Sequence, residues 1–149
     1  MPMLTRSECG CPLILKAYFY RLKPASMKIE VSNGEIADKL TIIELKLERI
    51  SDPGKLTNLQ KEHAILEEAL AGFMRKDDPL YLELYRVNTQ LWEIEDRIRD
   101  LERRKDFGPE FIETARSVYF RNDERSEIKR RINMLTGSGL IEEKSYEKY

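Results

Sequence analysis

The chain has 149 residues, the length of one domain, and 36% of them are charged, against roughly 25% in an average globular protein. Its 26 basic and 27 acidic residues nearly cancel, which removes the strong positive field expected of a nucleic-acid or anionic-membrane binder. No run of 18 apolar residues occurs, so no segment reads as a membrane-spanning helix. Hydrophobic residues at 41% suffice for a core, which argues against wholesale disorder.

Residues 1–26 differ from everything after them. They hold four basic residues against one acidic, three of the six prolines and no helical period. We read them as an extension, disordered or arising from an upstream start ahead of Met27, and residues 27–149 as a single mildly acidic domain. Cys9 and Cys11 are the only cysteines and fall in this extension. Only His63 is available as a further soft ligand, far along the chain, so the pair reads as incidental thiols in a reducing cytoplasm.

The segment Val31-Ser32-Asn33-Gly34-Glu35-Ile36 has the form of a capping box, with Ser32 capping the Glu35 amide and the Glu35 carboxylate reaching back to Ser32. It opens a first helix over about 33–51, on which Ile36, Leu40, Ile43, Leu47 and Ile50 alternate at spacings of four and three, the seam of a helix that faces another helix. Asp52-Pro53-Gly54 starts a second, over about 53–75, with the stripe Leu56, Leu59, His63, Leu66, Leu70 and Phe73; Arg75 and Lys76 suit its negative C-terminal end. Asp78-Pro79 starts the third and cleanest, over 79–105, with Leu80, Leu84, Val87, Leu91, Ile94, Ile98 and Leu101 in strict alternation. Asp106-Phe107-Gly108-Pro109 turns the chain into the fourth, over 109–135, which ends before Gly137; residues 136–149 form a tail. This pattern predicts an all-α fold of two antiparallel hairpins in a coiled-coil-like four-helix bundle. At about 1.5 Å per residue the second hairpin reaches about 40 Å and overhangs the first. Covering its apolar end calls for a homodimer, or for a protein partner seated on the long hairpin.

Polar residues break the apolar pattern on the last two helices. The seam of the fourth runs Phe111, Ala115, Val118, Asn122, Arg125, Lys129, Ile132. A second stripe on the third runs Tyr81, Tyr85, Asn88, Trp92, Glu95, Arg99, Glu102. Pairing these helices brings Asn88, Glu95, Arg99, Asn122, Arg125 and Lys129 into one layer. Such a layer is either a structural network that fixes register, or a basic, amide-lined pocket for an anionic ligand such as a phosphate or a sugar nucleotide.

Two Glu-x-x-Asp pairs, Glu35 with Asp38 and Glu93 with Asp96, set carboxylates three apart on a helix face, the arrangement by which helical pyrophosphohydrolases hold magnesium. Magnesium enters only under that reading; otherwise no cofactor is expected. The single His63 lies on an apolar stripe and has no second base beside it, so no residue is assigned as catalytic. Basic clusters at 97–105 and 121–131 alternate with acids and read as solvated helix faces rather than a nucleic-acid groove.

The stretch from Val31 to Ile50, the block Leu91-Trp92-Glu93-Ile94-Glu95-Asp96-Arg97-Ile98-Arg99, the block from Phe107 to Asn133 and the ending Glu142-Glu143-Lys144-Ser145-Tyr146 together resemble a small bacterial helical family of uncharacterised proteins. The resemblance covers about residues 29–146. It implies a neighbourhood among surface-polysaccharide and glycosyltransferase genes and no particular reaction. It singles out Glu35, Asp38, Lys39, Trp92, Glu95, Asp96, Arg99, Arg116, Asn122, Asp123, Arg125 and Lys129 as motif positions. Together with the polar layer, this makes Asn88, Trp92, Glu95, Arg99, Arg116, Asn122, Asp123, Arg125 and Lys129 the candidates for ligand binding. The leading expectation is an interaction or accessory protein of envelope-glycan metabolism; the rival is a binding protein or metal-dependent hydrolase for a phosphorylated or nucleotide-sugar ligand.

Overall fold

A computed structural model describes residues 27–145 and 147; the expectations for residues 1–26 and their two cysteines lie outside them. The described chain forms four helices, α1 (Asn33–Arg49), α2 (Pro53–Ala71), α3 (Pro79–Arg104) and α4 (Pro109–Thr136). Their starts are fixed by the expected chemistry. Ser32 Oγ accepts from the Glu35 amide at 3.2 Å, Asp52 Oδ1 from Lys55 at 2.8 Å and Asp78 Oδ1 from Leu80 at 2.8 Å, each satisfying an amide that the first helical turn leaves unpaired. Proline occupies the first turn of α2, α3 and α4, where its missing N–H costs nothing.

Two local expectations are corrected. The capping box is half made: the Glu35 carboxylate turns away from Ser32 and takes the Lys129 ammonium at 2.6 Å, because a buried cation is the more demanding partner. Arg75 and Lys76 do not close α2, which stops at Ala71 with Gly72 as its cap. Arg75 instead pairs with Asp77 within the connection, and Lys76 binds Glu44 and Glu67, tying the turn to α1 and α2.

The two hairpins pack around α1, which contacts each of the other three helices, whereas among the described residues α2 runs along α1 alone. Arg131 with Glu83 and Arg86 with Glu124 mark the antiparallel register of α3 and α4. The core joins Ala37 and Leu40 of α1, Leu70 and Met74 from the end of the first hairpin, Tyr81, Leu84, Val87 and Leu91 of α3, and Ile128 and Ile132 of α4. These are largely the seam positions. Every buried residue of α4 lies at or beyond Ile128, so the N-terminal half of that helix is covered mainly by α3, and Phe107, Ile112 and Phe120 stand half exposed there. The long hairpin overhangs as its length requires.

Gly34 sets how closely α1 approaches α4. Its amide donates to Asn133 Oδ1 at 2.6 Å, and a Cβ at this position would stand 2.5 Å from the Lys129 carbonyl oxygen. Asn33 adds a hydrogen bond from its side chain to Thr136 Oγ1 and one from its amide to Ser138 Oγ. The start of α1 is thereby stitched to the end of α4, and this contact places Asp38 one turn further on, opposite Arg125.

Candidate functional site

The polar residues of the second α3 stripe converge on a groove of about 450 Å³, within the size range of small-molecule sites. Ile42 and Leu45 of α1 and Leu91 and Trp92 of α3 are its apolar lining residues, and Asn88, Glu95, Asp96, Arg99, Asn122 and Arg125 its polar ones. The period that carries Tyr81 and Asn88 into the interior carries Glu95 and Arg99 outward, so the stripe runs from core to solvent and the groove lies where it crosses between them.

Asp38 sits at the base, 1% exposed. An ionised carboxylate so buried requires hydrogen-bonded cationic partners, and Arg125 provides them: Nε donates to Oδ1 at 2.8 Å and Nη2 to Oδ2, the bidentate arrangement that a planar guanidinium allows. Asn88 Nδ2 donates to the same Oδ1 at 2.8 Å and to Thr41 Oγ1 at 2.8 Å, while the Thr41 hydroxyl donates to the Asp38 carbonyl at 2.7 Å. Arg125 Nη1 reaches Asn122 Oδ1 at 3.4 Å. The Asp38 carboxylate holds the Arg125 guanidinium more firmly protonated than an ordinary arginine, against the opposing effect of burial.

The remaining candidates fall in different places. Glu95 and Arg99 pair with each other at 3.0 Å on the groove wall, and Asp96 borders it. Trp92 carries the Arg49 guanidinium 5.5 Å over its ring, a cation–π contact. Lys129 lies one turn along α4 from Arg125 and is buried. Burial opposes its charge, but hydrogen bonds to Glu142 and Glu35 outweigh that and raise its pKa. Lys129 thus pins the C-terminal tail to α1 and α4. Arg116 is exposed beside Tyr119 and Glu113, and Asp123 is exposed; both stand outside the groove.

The carboxylate pairs separate in the same way. Glu35 and Asp38 are engaged by Lys129 and Arg125, and Glu93 points to Arg49 at 3.8 Å, leaving Asp96 alone of the four on the groove. Among the described residues no group of three or more His, Cys, Asp or Glu side chains is disposed to hold a metal ion. His63 stands between Glu44 and Glu67 at 3.6 and 3.7 Å, in a cluster with Lys76 and Tyr81 away from the groove. The Tyr81 phenol is buried and donates to Glu44 at 2.7 Å, and both circumstances raise its pKa.

Sequence reasoning missed three parts of the site. Ile42 and Leu45 lie off the apolar seam of α1, Thr41 carries no motif, and the Glu-x-x-Asp spacing assigns Asp38 to a metal where the structure makes it the partner that orients Arg125. A signal was present: Asp38 and Thr41 fall three apart on the face of α1 beside its apolar seam, so two polar side chains were bound to enter the interior together.

Residues 27–149 match a family of unknown function, DUF6165. No curated protein and no solved structure matches the chain. Among the described residues no helix is long and apolar enough to cross a membrane.

Proposed function

We propose that this chain, which belongs to the DUF6165 family of unknown function through residues 27–149, is a helical binding protein whose groove between α1, α3 and α4 takes a small polar ligand. The observation that carries the reading is the arrangement around Asp38, where one buried carboxylate fixes Arg125 and Asn88, so that side chains of three helices are held in place around one concavity. Rigid support behind a polar lining is what a binding site requires. A network that served register alone needs no open groove in front of it. The lining contains no Ser, Cys, His or Lys, so any nucleophile or base there would be Glu95 or Asp96, and Glu95 is already paired with Arg99. In the setting that the family resemblance implies, the chain is a cytoplasmic accessory of bacterial envelope-glycan metabolism and its ligand a sugar nucleotide or sugar phosphate.

A thermal-shift panel on the full chain with magnesium, nucleotides, sugar phosphates and sugar nucleotides tests this. A concentration-dependent rise in Tm with at least one compound, reduced in Asn122→Ala and in Arg99→Ala, is expected. A flat panel ends the reading. Magnesium-dependent hydrolysis of such a ligand is the rival, supported by Glu95 and Asp96 at the groove wall, and phosphate release that requires magnesium decides for it.

The overhanging hairpin supports a second role. Phe107, Ile112 and Phe120 are each half exposed, just before or within the N-terminal half of α4, and exposed apolar side chains there favour an interaction site. Its occupant on this reading is a second copy of the chain. Light scattering is expected to give twice the chain mass, falling to the monomer in Ile112→Lys; a monomeric wild type removes the role.

A further inference from the structure

We infer, resting on the binding role given to this groove, that it recognises an uncharged, hydroxyl-rich ring, the glycosyl part of its ligand, and makes no phosphate site. Three observations carry this. The first is charge. The lining holds Arg99 and Arg125 against Glu95 and Asp96, and Asp38 already neutralises Arg125 from behind. Two guanidinium groups thus face three carboxylates, and Arg99 is itself paired with Glu95. A phosphate group would bring further negative charge to a lining whose two guanidinium groups are already paired, while Arg49 over Trp92 faces Glu93 at 3.8 Å.

The second is the backbone. Anion sites in helical proteins draw on the free amides of helix N-termini or of loop nests. Every lining residue here lies well inside α1, α3 or α4, where the amides are spent on the helices themselves. Only side chains are available, and they offer donors and acceptors in mixture. Asn88 uses its N–H groups on Asp38 and Thr41, which leaves its amide oxygen as an acceptor. Glu95 and Asp96 accept, while Arg99 and the Nη1 edge of Arg125 donate. A hydroxyl both donates and accepts and so meets such a lining at every position.

The third is the mixed lining, in which Ile42, Leu45, Leu91 and Trp92 supply apolar surface beside the polar side chains. A sugar ring carries both kinds of surface, C–H groups on its faces and hydroxyls on its edge. A compact anion has no such apolar face.

Trp92 is the only tryptophan of the chain, so its fluorescence reports on this groove. The full chain is titrated with glucose, galactose, N-acetylglucosamine, UDP-glucose, UDP and inorganic phosphate. Emission is followed, and saturation-transfer NMR identifies the protons in contact. At least one neutral sugar is expected to change the emission and to receive saturation on its ring protons, with a dissociation constant that stays within about twofold between low and high salt. Asn122→Ala and Asp96→Asn are expected to weaken this response at least fivefold, and Arg116→Ala to leave it unchanged. A response to UDP-glucose through its glucosyl protons alone identifies the nucleotide-linked source; a response to the free sugars identifies a glycan or monosaccharide. Binding of UDP or phosphate that is as strong as that of UDP-glucose and weakens steeply with salt overturns the inference while keeping the groove as a binding site. No response to any of the six compounds overturns both.

Discussion

Asp38 Oδ1 and Arg125 Nε stand 2.8 Å apart across 87 residues of sequence, and this pair locks α1 against α4 beneath the groove. Breaking it by Asp38→Ala leaves a half-buried guanidinium without its counter-charge, which costs about 3–5 kcal/mol where the surviving charge is buried. The outer edge of Arg125 reaches solvent, with 28% of its side chain exposed, so the lower end of that range is expected. The double replacement Asp38→Leu with Arg125→Met removes both charges and is expected to cost much less. Urea unfolding of Asp38→Leu, of Arg125→Met and of the double closes the cycle. A double variant as unstable as Asp38→Ala would show that the pair contributes through its shape rather than its charge.

Gly34→Ala tests the stitch between α1 and α4. Within a helix this exchange normally stabilises by roughly 1 kcal/mol, but here the new methyl meets the Lys129 carbonyl oxygen at 2.5 Å and must push α4 away. A loss of about 1–3 kcal/mol is expected, as for other overpacked sites. Gly54→Ala, in the exposed first turn of α2, is the control: its methyl meets only the exposed Asp52 carboxylate, at 3.3 Å, so stability is expected to change far less than in Gly34→Ala. Thermal unfolding of both variants measures the difference.

How much of this was legible follows from the range of the interactions. The four helices were, because Ser32, Asp52, Asp78 and the three prolines act within one turn of their own positions, and because a stripe such as Leu84, Val87 and Leu91 needs only a neighbour of any kind. The convergence of Asn88, Glu95, Arg99, Asn122 and Arg125 was legible for the same reason, since polar residues on neighbouring helices must meet once the hairpin closes; Lys129, expected in the same layer, turns instead to Glu35 and Glu142. What lies beneath them was not. Nothing local tells Asp38 that its partner is Arg125 rather than a metal, and Gly34 reads as an ordinary first-turn residue until Lys129 is placed against it. Glu35 shows the competition directly, since its local partner at Ser32 loses to a distant buried ammonium.

Gln90 offers a gain rather than a loss. Its Oε1 is buried without a hydrogen-bond partner among the described residues, beside Ile94 and Ser117 in a second groove of the long hairpin. A buried acceptor left unsatisfied costs about 1–3 kcal/mol. Gln90→Met keeps the length of the side chain and removes the acceptor, so a rise of about 1 kcal/mol is expected by urea unfolding. An unchanged or lower stability would mean that a water satisfies the oxygen in solution.

The C-terminal tail is held by charge, which makes its attachment dependent on pH. Glu142 bonds Lys129 at 2.8 Å, and that hydrogen bond, against some desolvation, lowers the Glu142 pKa from its ordinary 4.5. A carboxyl whose folded pKa is depressed contributes stability that is complete above its unfolded value and is lost as pH falls through the folded one. The contribution is therefore full at neutral pH and fades below about pH 4.5. Glu142→Gln removes it at every pH. The stability difference between wild type and this variant is expected to be constant from pH 7 to pH 5 and to shrink toward zero on further acidification, with amide exchange around residue 142 in the wild type rising toward that of the variant. The half-exposed Glu142 side chain keeps the effect modest through solvent screening. Lys129 remains protonated throughout, since its own pKa is raised, so the titration followed here is that of Glu142. Glu35 also pairs with Lys129, at 2.6 Å, and Glu35→Gln combined with Glu142→Gln is expected to release the tail at neutral pH, because a buried ammonium then lacks both of these counter-charges.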